Sequence, residues 1–276
     1  MRVVSGTARR FAVSNLVWPD ADQNAAIAFA RDLGFQGLEL APVKAWGGWE
    51  QARPADATAL RRRLADKQLT IAALQGICHG VDGLALFESG TARQRLANHL
   101  CRVAEFAAAC GGVPCVFGAP RLRDPGDLGR EAAMDSAAEF FAALAPVFQA
   151  AGSCLSFEAN PERYGCRFAT HTAEAAELVR RVGQPGFALQ IDTGTVLMNG
   201  EDPVALRSLL PLASHVHLSE PDLMVLTPDR ATAHRPIAAV VQGAGYAGWL
   251  SAEMRTVPDW RAALTSAAAL LADLYP

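Results

Sequence analysis

The chain is poor in the features that mark several protein classes. It has no run of about 18 apolar residues, so nothing in it reads as a membrane-spanning helix. Its opening stretch, MRVVSGTARRFAVSNLVW, lacks the continuous apolar segment of a secretory leader. With neither leader nor span, the expected location is the cytoplasm. The six cysteines form no Cys-x-x-Cys pair. Reduced, largely buried thiols are therefore expected, with disulfides as the alternative. Charge of one sign is scarce: the net value is −3, and no basic run is interleaved with aromatics. Nucleic acid and anionic membrane thus have no electrostatic ground as partners. No G-x-G-x-x-G follows the first apolar run, and nothing resembles a phosphate-binding P-loop, which removes the usual nucleotide signatures.

What is present is a regular alternation. The chain has 276 residues, 51% of them hydrophobic and 19% charged, ample for one large core and of a length routine for a single α/β barrel. Short apolar runs read as strands at Arg10–Trp18, Gly37–Pro42, Leu69–Ile77, Pro114–Pro120, Ser153–Asn160, Phe187–Thr195, Ser214–Glu220 and Trp249–Arg255. Ala-rich helical stretches follow them at Asp22–Leu33, Pro54–Lys67, Thr91–Cys110, Leu128–Ala151, Thr172–Val182, Asp202–Leu210, Pro236–Gln242 and Asp259–Leu274. Asp22, Asp202 and Asp259 are suited to helix starts, and Gly34, Gly111, Gly152 and Gly183 to helix ends. Pro146 is expected to kink or end the fourth helix. Eight β-then-α units without a linker or composition break predict one closed (β/α)8 TIM barrel spanning residues 1–276, with an open doubly wound sheet as the alternative.

In the second half, four apolar runs each end on a metal-capable side chain: SFEAN (Glu158), QIDTG (Asp192), HVHLSE (His217) and SAEMR (Glu253). They are separated by 34, 25 and 36 residues, close to the roughly 30 residues of one βα unit. Barrels carry their chemistry at the C-terminal ends of the strands, where all four fall. Period-two alternation puts Ser156 with Glu158, Gln190 with Asp192, His215 with His217 and Ser251 with Glu253 on one polar face. The other face is apolar. A buried charge needs a partner or a metal. Three carboxylates and one imidazole favour a single divalent ion, Mn2+ first, with Mg2+ or Co2+ as alternatives, over structural zinc. Two glutamates flanking a bound sugar could take a proton from one face and return it to another while the metal stabilises an enediolate.

These residues resemble the xylose isomerase-like TIM-barrel superfamily, the sugar (phosphate) isomerase/epimerase group. The likeness runs from SNLVWP and LGFQGLELAP to GYAGWLSAEMR. The resemblance implies that Glu158, Asp192, His217 and Glu253 bind the metal. It also implies that Glu158 and Glu253 are the catalytic acid/base pair, as in ketose 3-epimerases, and that the protein forms a homodimer or homotetramer. The expected partner is a small sugar or sugar derivative. Two departures stand out. Thr195 occupies the place of a histidine that many relatives carry on the sixth strand. No arginine follows His217 closely, so His234 or Arg235 is the expected substitute.

Further substrate contacts are expected from Glu39, His79, Asn160, Arg163 and Arg255. For Glu39 a structural bond to a neighbouring loop is the alternative. His215 reads as a supporting histidine one layer below the metal. Trp18, Trp46 and Trp49 could stack on a sugar or simply pack, and Arg121 and Arg123 read as solvated. A metal-dependent lyase or dehydratase acting on a keto-polyol or oxidised glycoside is the alternative activity. An abasic-site endonuclease and a non-catalytic sugar-binding protein complete the set.

Overall fold

Each apolar run read in the sequence becomes a short parallel strand in the computed structural model, which describes residues 10–88 and 90–276. The first nine residues of the segment inspected for a leader lie outside the described residues. The strands are β1 (Arg10–Ser14), β2 (Gly37–Leu40), β3 (Thr70–Leu74), β4 (Cys115–Phe117), β5 (Leu155–Glu158), β6 (Phe187–Asp192), β7 (Ala213–Ser219) and β8 (Trp249–Glu253). They pair in chain order, and β1 closes the ring on β8 with Ala12 opposite Ser251. The closed barrel therefore stands, and the open sheet does not.

The helices are α1 (Gln23–Asp32), α2 (Pro42–Trp46), α3 (Pro54–Ala65), α4 (Thr91–Cys110), α5 (Arg130–Ala150), α6 (Thr172–Val182), α7 (Thr193–Asn199), α8 (Ala231–Gly243) and α9 (Trp260–Leu274). Local signals explain several ends. The Asp259 carboxylate accepts from the Ala262 amide at 3.1 Å, and α6 starts with a capping box in which Glu174 accepts from the His171 amide at 3.2 Å. Gly111 (φ 108°) and Gly183 (φ 59°) end α4 and α6 in the left-handed region.

Other expectations are corrected. Asp22 stands at the N-cap position of α1 as expected but makes no side-chain cap bond there; its carboxylate accepts from Trp260 Nε1 at 3.0 Å, tying the first α/β unit to the last. Pro146 lies inside α5 without ending it. The helix expected at Asp202–Leu210 is a 3-10 helix, Pro203–Ser208, and the helix expected from Pro236 begins at Ala231. The sixth strand stops at Asp192 because that residue turns to cap α7, accepting from the Thr195 amide at 2.6 Å.

The two faces of the strands separate as the alternation requires. Phe157, Leu189, Ile191, Val216 and Ala252 are fully buried under the helices. There Phe141 of α5 stacks on Phe187 at 4.7 Å and meets Phe157 at 5.5 Å. Ser156, Gln190, His215 and Ser251 are equally buried on the other face, within the ring. The apolar layer stiffens the barrel, and the polar layer beneath its mouth supports the site. All six cysteines are free thiols.

Candidate metal centre

Glu158, Asp192 and Glu253 are the last residues of β5, β6 and β8, and His217 lies within β7. The register sets Asp192 beside His217 and Ser219 beside Glu253. The four side chains meet. His217 Nδ1 stands 3.2 Å from Glu158 Oε1, 3.2 Å from Glu253 Oε2 and 3.9 Å from Asp192 Oδ2. Their side chains are 1% to 12% exposed.

The surroundings hold each group in place. His217 Nε2 is bonded to Glu39 Oε1 at 2.8 Å, which leaves Nδ1 aimed at the acids. Asp192 Oδ2 accepts from Ser219 Oγ at 2.5 Å. Glu158 Oε2 accepts from Asn160 Nδ2 at 2.9 Å, which leaves Oε1 facing the centre. Backbone from the turn after β4 passes so near that a Cβ at Gly118 would lie 2.6 Å from Glu158 Oε2.

Among the described residues, no lysine or arginine forms an ion pair with Glu158, Asp192 or Glu253. Three carboxylates thus share one imidazole. Burial, reinforced by the charges of Glu158 and Glu253, pushes the Asp192 carboxyl up to about 7. Burial also raises Glu253, with Glu158 and Glu39 adding to the effect. For His217, burial opposes the charged form, but the charges of Glu39 and Glu253 outweigh it and raise the group well above the ordinary range. The cluster holds more negative charge than its neighbours neutralise. That excess, with Glu158, Asp192 and His217 offering ligand atoms within 4.8 Å of one another and Glu253 3.2 Å from His217 Nδ1, suits a divalent cation.

Three of the four, Glu158, His217 and Glu253, line the floor of a cavity of about 690 Å³, together with the segments after β3 and β4. His79 and Asn160 line this cavity; the remaining expected substrate contacts lie elsewhere. Glu39 does not reach the mouth: it is wholly buried, and its second oxygen is bonded to His215 Nε2 at 3.2 Å. Burial would raise this carboxyl, but the two imidazoles overcome it and hold Glu39 well below the usual range. His215 is buried in the same layer, its ring centroid 5.3 Å from that of His217.

Thr195 is turned inward, its hydroxyl donating to the Ala159 carbonyl at 3.3 Å. Arg163 is exposed and pairs with Asp222 at 2.8 Å. Arg255 is exposed, with Nη2 3.2 Å from Met224 Sδ. His234 and Arg235 do not replace the missing arginine. His234 is buried against Glu220 at 2.9 Å, and Arg235, the next residue on α8, pairs with Asp273 of α9 at 2.8 Å. The tryptophans are packing residues: Trp18 is fully buried, and Trp46 and Trp49 meet Phe106 at 4.7 and 5.4 Å.

Arg123 is the residue that sequence reasoning misses. It is fully buried, and donates to the Glu158 carbonyl at 2.9 Å and to Asn160 Oδ1 at 2.5 Å. Its guanidinium lies 4.8 Å from the Phe157 ring centroid. An arginine after a turn normally reads as solvated, and no local pattern distinguishes this one. Its neighbour Arg121 lines the cavity and is exposed.

Among the described residues, no helix is long and apolar enough to cross a membrane. Comparison with known proteins gives a consistent fold. L-ribulose 3-epimerase superposes with a TM-score of 0.77 at 19% identity, over 96% of this chain and 94% of that one. The 3-keto-D-glucoside 4-epimerase of E. coli gives 0.73 at 16% identity, over 96% and 98%. An AP endonuclease, family 2, from Brucella melitensis gives 0.70 at 22% identity, over 96% and 98%. No curated protein matches the sequence. The model of the xylose isomerase-like TIM barrel family matches residues 27–274, and the chain belongs to that family.

Proposed function

We propose that this protein is a divalent-metal-dependent sugar isomerase or epimerase that moves a proton at a carbon beside a carbonyl. The observation that carries the reading is the placement of Glu158 and Glu253, each 3.2 Å from His217 Nδ1, on the floor of the cavity. Glu158, Asp192, His217 and Glu253 would hold the ion, with Mn2+ the first expectation for an oxygen-rich set. When bound, the ion supplies positive charge that polarises the substrate carbonyl.

The protein's own groups do the rest. One of the two glutamates removes the proton, and the other returns one from its own side. Asn160 holds Glu158 with one oxygen turned inward, and the Glu39 bond keeps the His217 ring from rotating. His79 and Asn160 are the proposed contacts to substrate hydroxyls. The names of the two epimerase neighbours, one acting on a ketose and one on a keto-glucoside, support this class of substrate. A cytoplasmic location and a dimer or tetramer belong to the same proposal.

A lyase reading uses the same first step, proton removal beside a carbonyl, and differs only in whether a group leaves from the neighbouring carbon. An abasic-site endonuclease fits less well. Among the described residues only one arginine, Arg121, lines the cavity, and the chain carries 25 basic against 28 acidic residues.

The test is proton exchange in D2O, followed by NMR across a panel of ketoses and keto-glycosides with Mn2+ added. Exchange with an intact carbon skeleton supports isomerisation or epimerisation, and loss of water or aglycone supports elimination. Absence of exchange on every member, with metal bound, overturns both.

A further inference from the structure

The cavity above the acid cluster is lopsided. Besides Glu158, Asn160, His217 and Glu253, its lining comes from β4 and the segments after β3 and β4, and none of it from the loops after β1, β2, β6 or β7. The apolar side chains of its lining, Ile77, Cys78, Val81, Ala119, Pro120 and Leu122, all come from the segments after β3 and β4, whereas the acids come from β5 and β8. The wall made by these loop side chains is apolar. Cys78 belongs with it, since burial pushes that thiol up to about 12 and keeps it uncharged. Gln75, at the inner end, uses its amide nitrogen on Ser14 Oγ. The polar members of this arm, His79 and Arg121, are exposed and meet solvent at the rim.

A free ketose bears a hydroxyl on nearly every carbon. Pressed against this wall, those hydroxyls would lose water and find no replacement. The cavity, about 690 Å³, falls in the range of roughly 300–1,000 Å³ typical of pockets that enclose drug-sized ligands. The acids among its lining residues come from β5 and β8 alone. Shape and chemistry both call for a substrate with two unlike halves.

We propose that the substrate is a keto-sugar derivative carrying a compact apolar substituent, aromatic or branched, which fills the arm between the loops after β3 and β4 while the sugar carbonyl sits on the acid cluster. The inference rests on the sugar-carbonyl reading above and adds the nature of the attached group. The substituent packs on Val81 and Leu122, with Arg121 at its solvent-facing edge.

The probes are the methyl and phenyl 3-keto-β-D-glucosides, which share one reacting ketone and differ only in the substituent. Binding to the Mn2+-loaded full chain is measured by calorimetry. The phenyl compound is expected to bind roughly ten- to a hundredfold tighter than the methyl one. Val81→Thr, which keeps the side-chain shape, and Leu122→Asn should each reduce that ratio by about threefold or more. The ratio within each variant corrects for any general loss of fold.

Equal affinity for the two compounds, a preference unchanged in both variants, or no binding of either overturns the proposal. Solvent-proton exchange, followed on the same samples, separates it from the underlying reaction. A phenyl preference without exchange supports the arm and removes the proton-transfer chemistry. Exchange on both compounds without a preference removes the arm and keeps the chemistry.

Discussion

Arg123 and Asn160 form a buried pair in which the guanidinium donates to Asn160 Oδ1 at 2.5 Å. The bond settles which way the amide points, so that Nδ2 faces Glu158 Oε2 at 2.9 Å. A fully buried guanidinium is costly, and burial works against its charge. Here that cation orients one of the two proposed acid/base groups without touching the reacting centre.

Arg123→Met should therefore lower turnover by about 10- to 100-fold and weaken Mn2+ binding by a similar factor. Calorimetric metal titration beside steady-state kinetics checks this. Unchanged metal affinity in a folded variant would show that Arg123 only fills space.

Glu158→Gln and Glu253→Gln keep the side-chain volume and remove the base. Each is expected to cut turnover by about 100- to 10,000-fold with the fold retained. Circular dichroism melts and D2O exchange provide the measurements. Near-full activity in either variant contradicts the assigned pair.

Metal and pH are linked through Asp192, whose carboxyl is pushed up to about 7 in the ion-free fold by burial and by the charges of Glu158 and Glu253. Its folded value lies above the ordinary carboxylate value of about 4. Its contribution to ion-free stability is thus complete below about pH 4 and lost as pH rises through about 7. Cation binding requires that proton to leave. The melting temperature in EDTA should fall between pH 5 and 8, while affinity for Mn2+ rises over the same interval. Flat profiles for both quantities contradict the shared-charge picture.

Glu220 shows the opposite sign. It is 4% exposed and bonded to Arg230 at 3.0 Å through both oxygens and to His234 at 2.9 Å. Burial would raise this carboxyl, but the bonds from His234 and Arg230 outweigh it and lower the group. Its stabilisation is present above the ordinary carboxylate range and lost as pH falls through the depressed folded value. Glu220→Gln should cost about 1–3 kcal/mol at pH 7 and much less below about pH 4. Urea melts at the two pH values measure the difference.

Gly118→Ala tests how closely the backbone holds the site. The added Cβ would lie 2.6 Å from Glu158 Oε2 and 3.3 Å from Asn160 Oδ1, so the carboxylate must shift. A displacement near 1 Å at a reacting group lowers turnover about 100-fold. Kinetics and a melting curve on the same sample check that activity falls much further than stability.

The sequence by itself determined the barrel and the four candidate ligands. Alternation along a strand, helix caps and the recurrence of one βα unit are local or nearest-neighbour properties, so they are legible without coordinates. Only the tertiary structure decided what the remaining polar residues do. Glu39 reads as a mouth residue until it is seen to meet His217 across 178 positions of chain. Arg123 reads as solvated until the turn after β4 folds it under Glu158. His234 and Arg235 share one loop-and-helix segment in the sequence, yet one turns to Glu220 and the other to Asp273. The physical reason is common to all of them: a polar side chain takes its partner from whichever segment closure of the barrel brings near, and that neighbour carries no signature in the residues beside it.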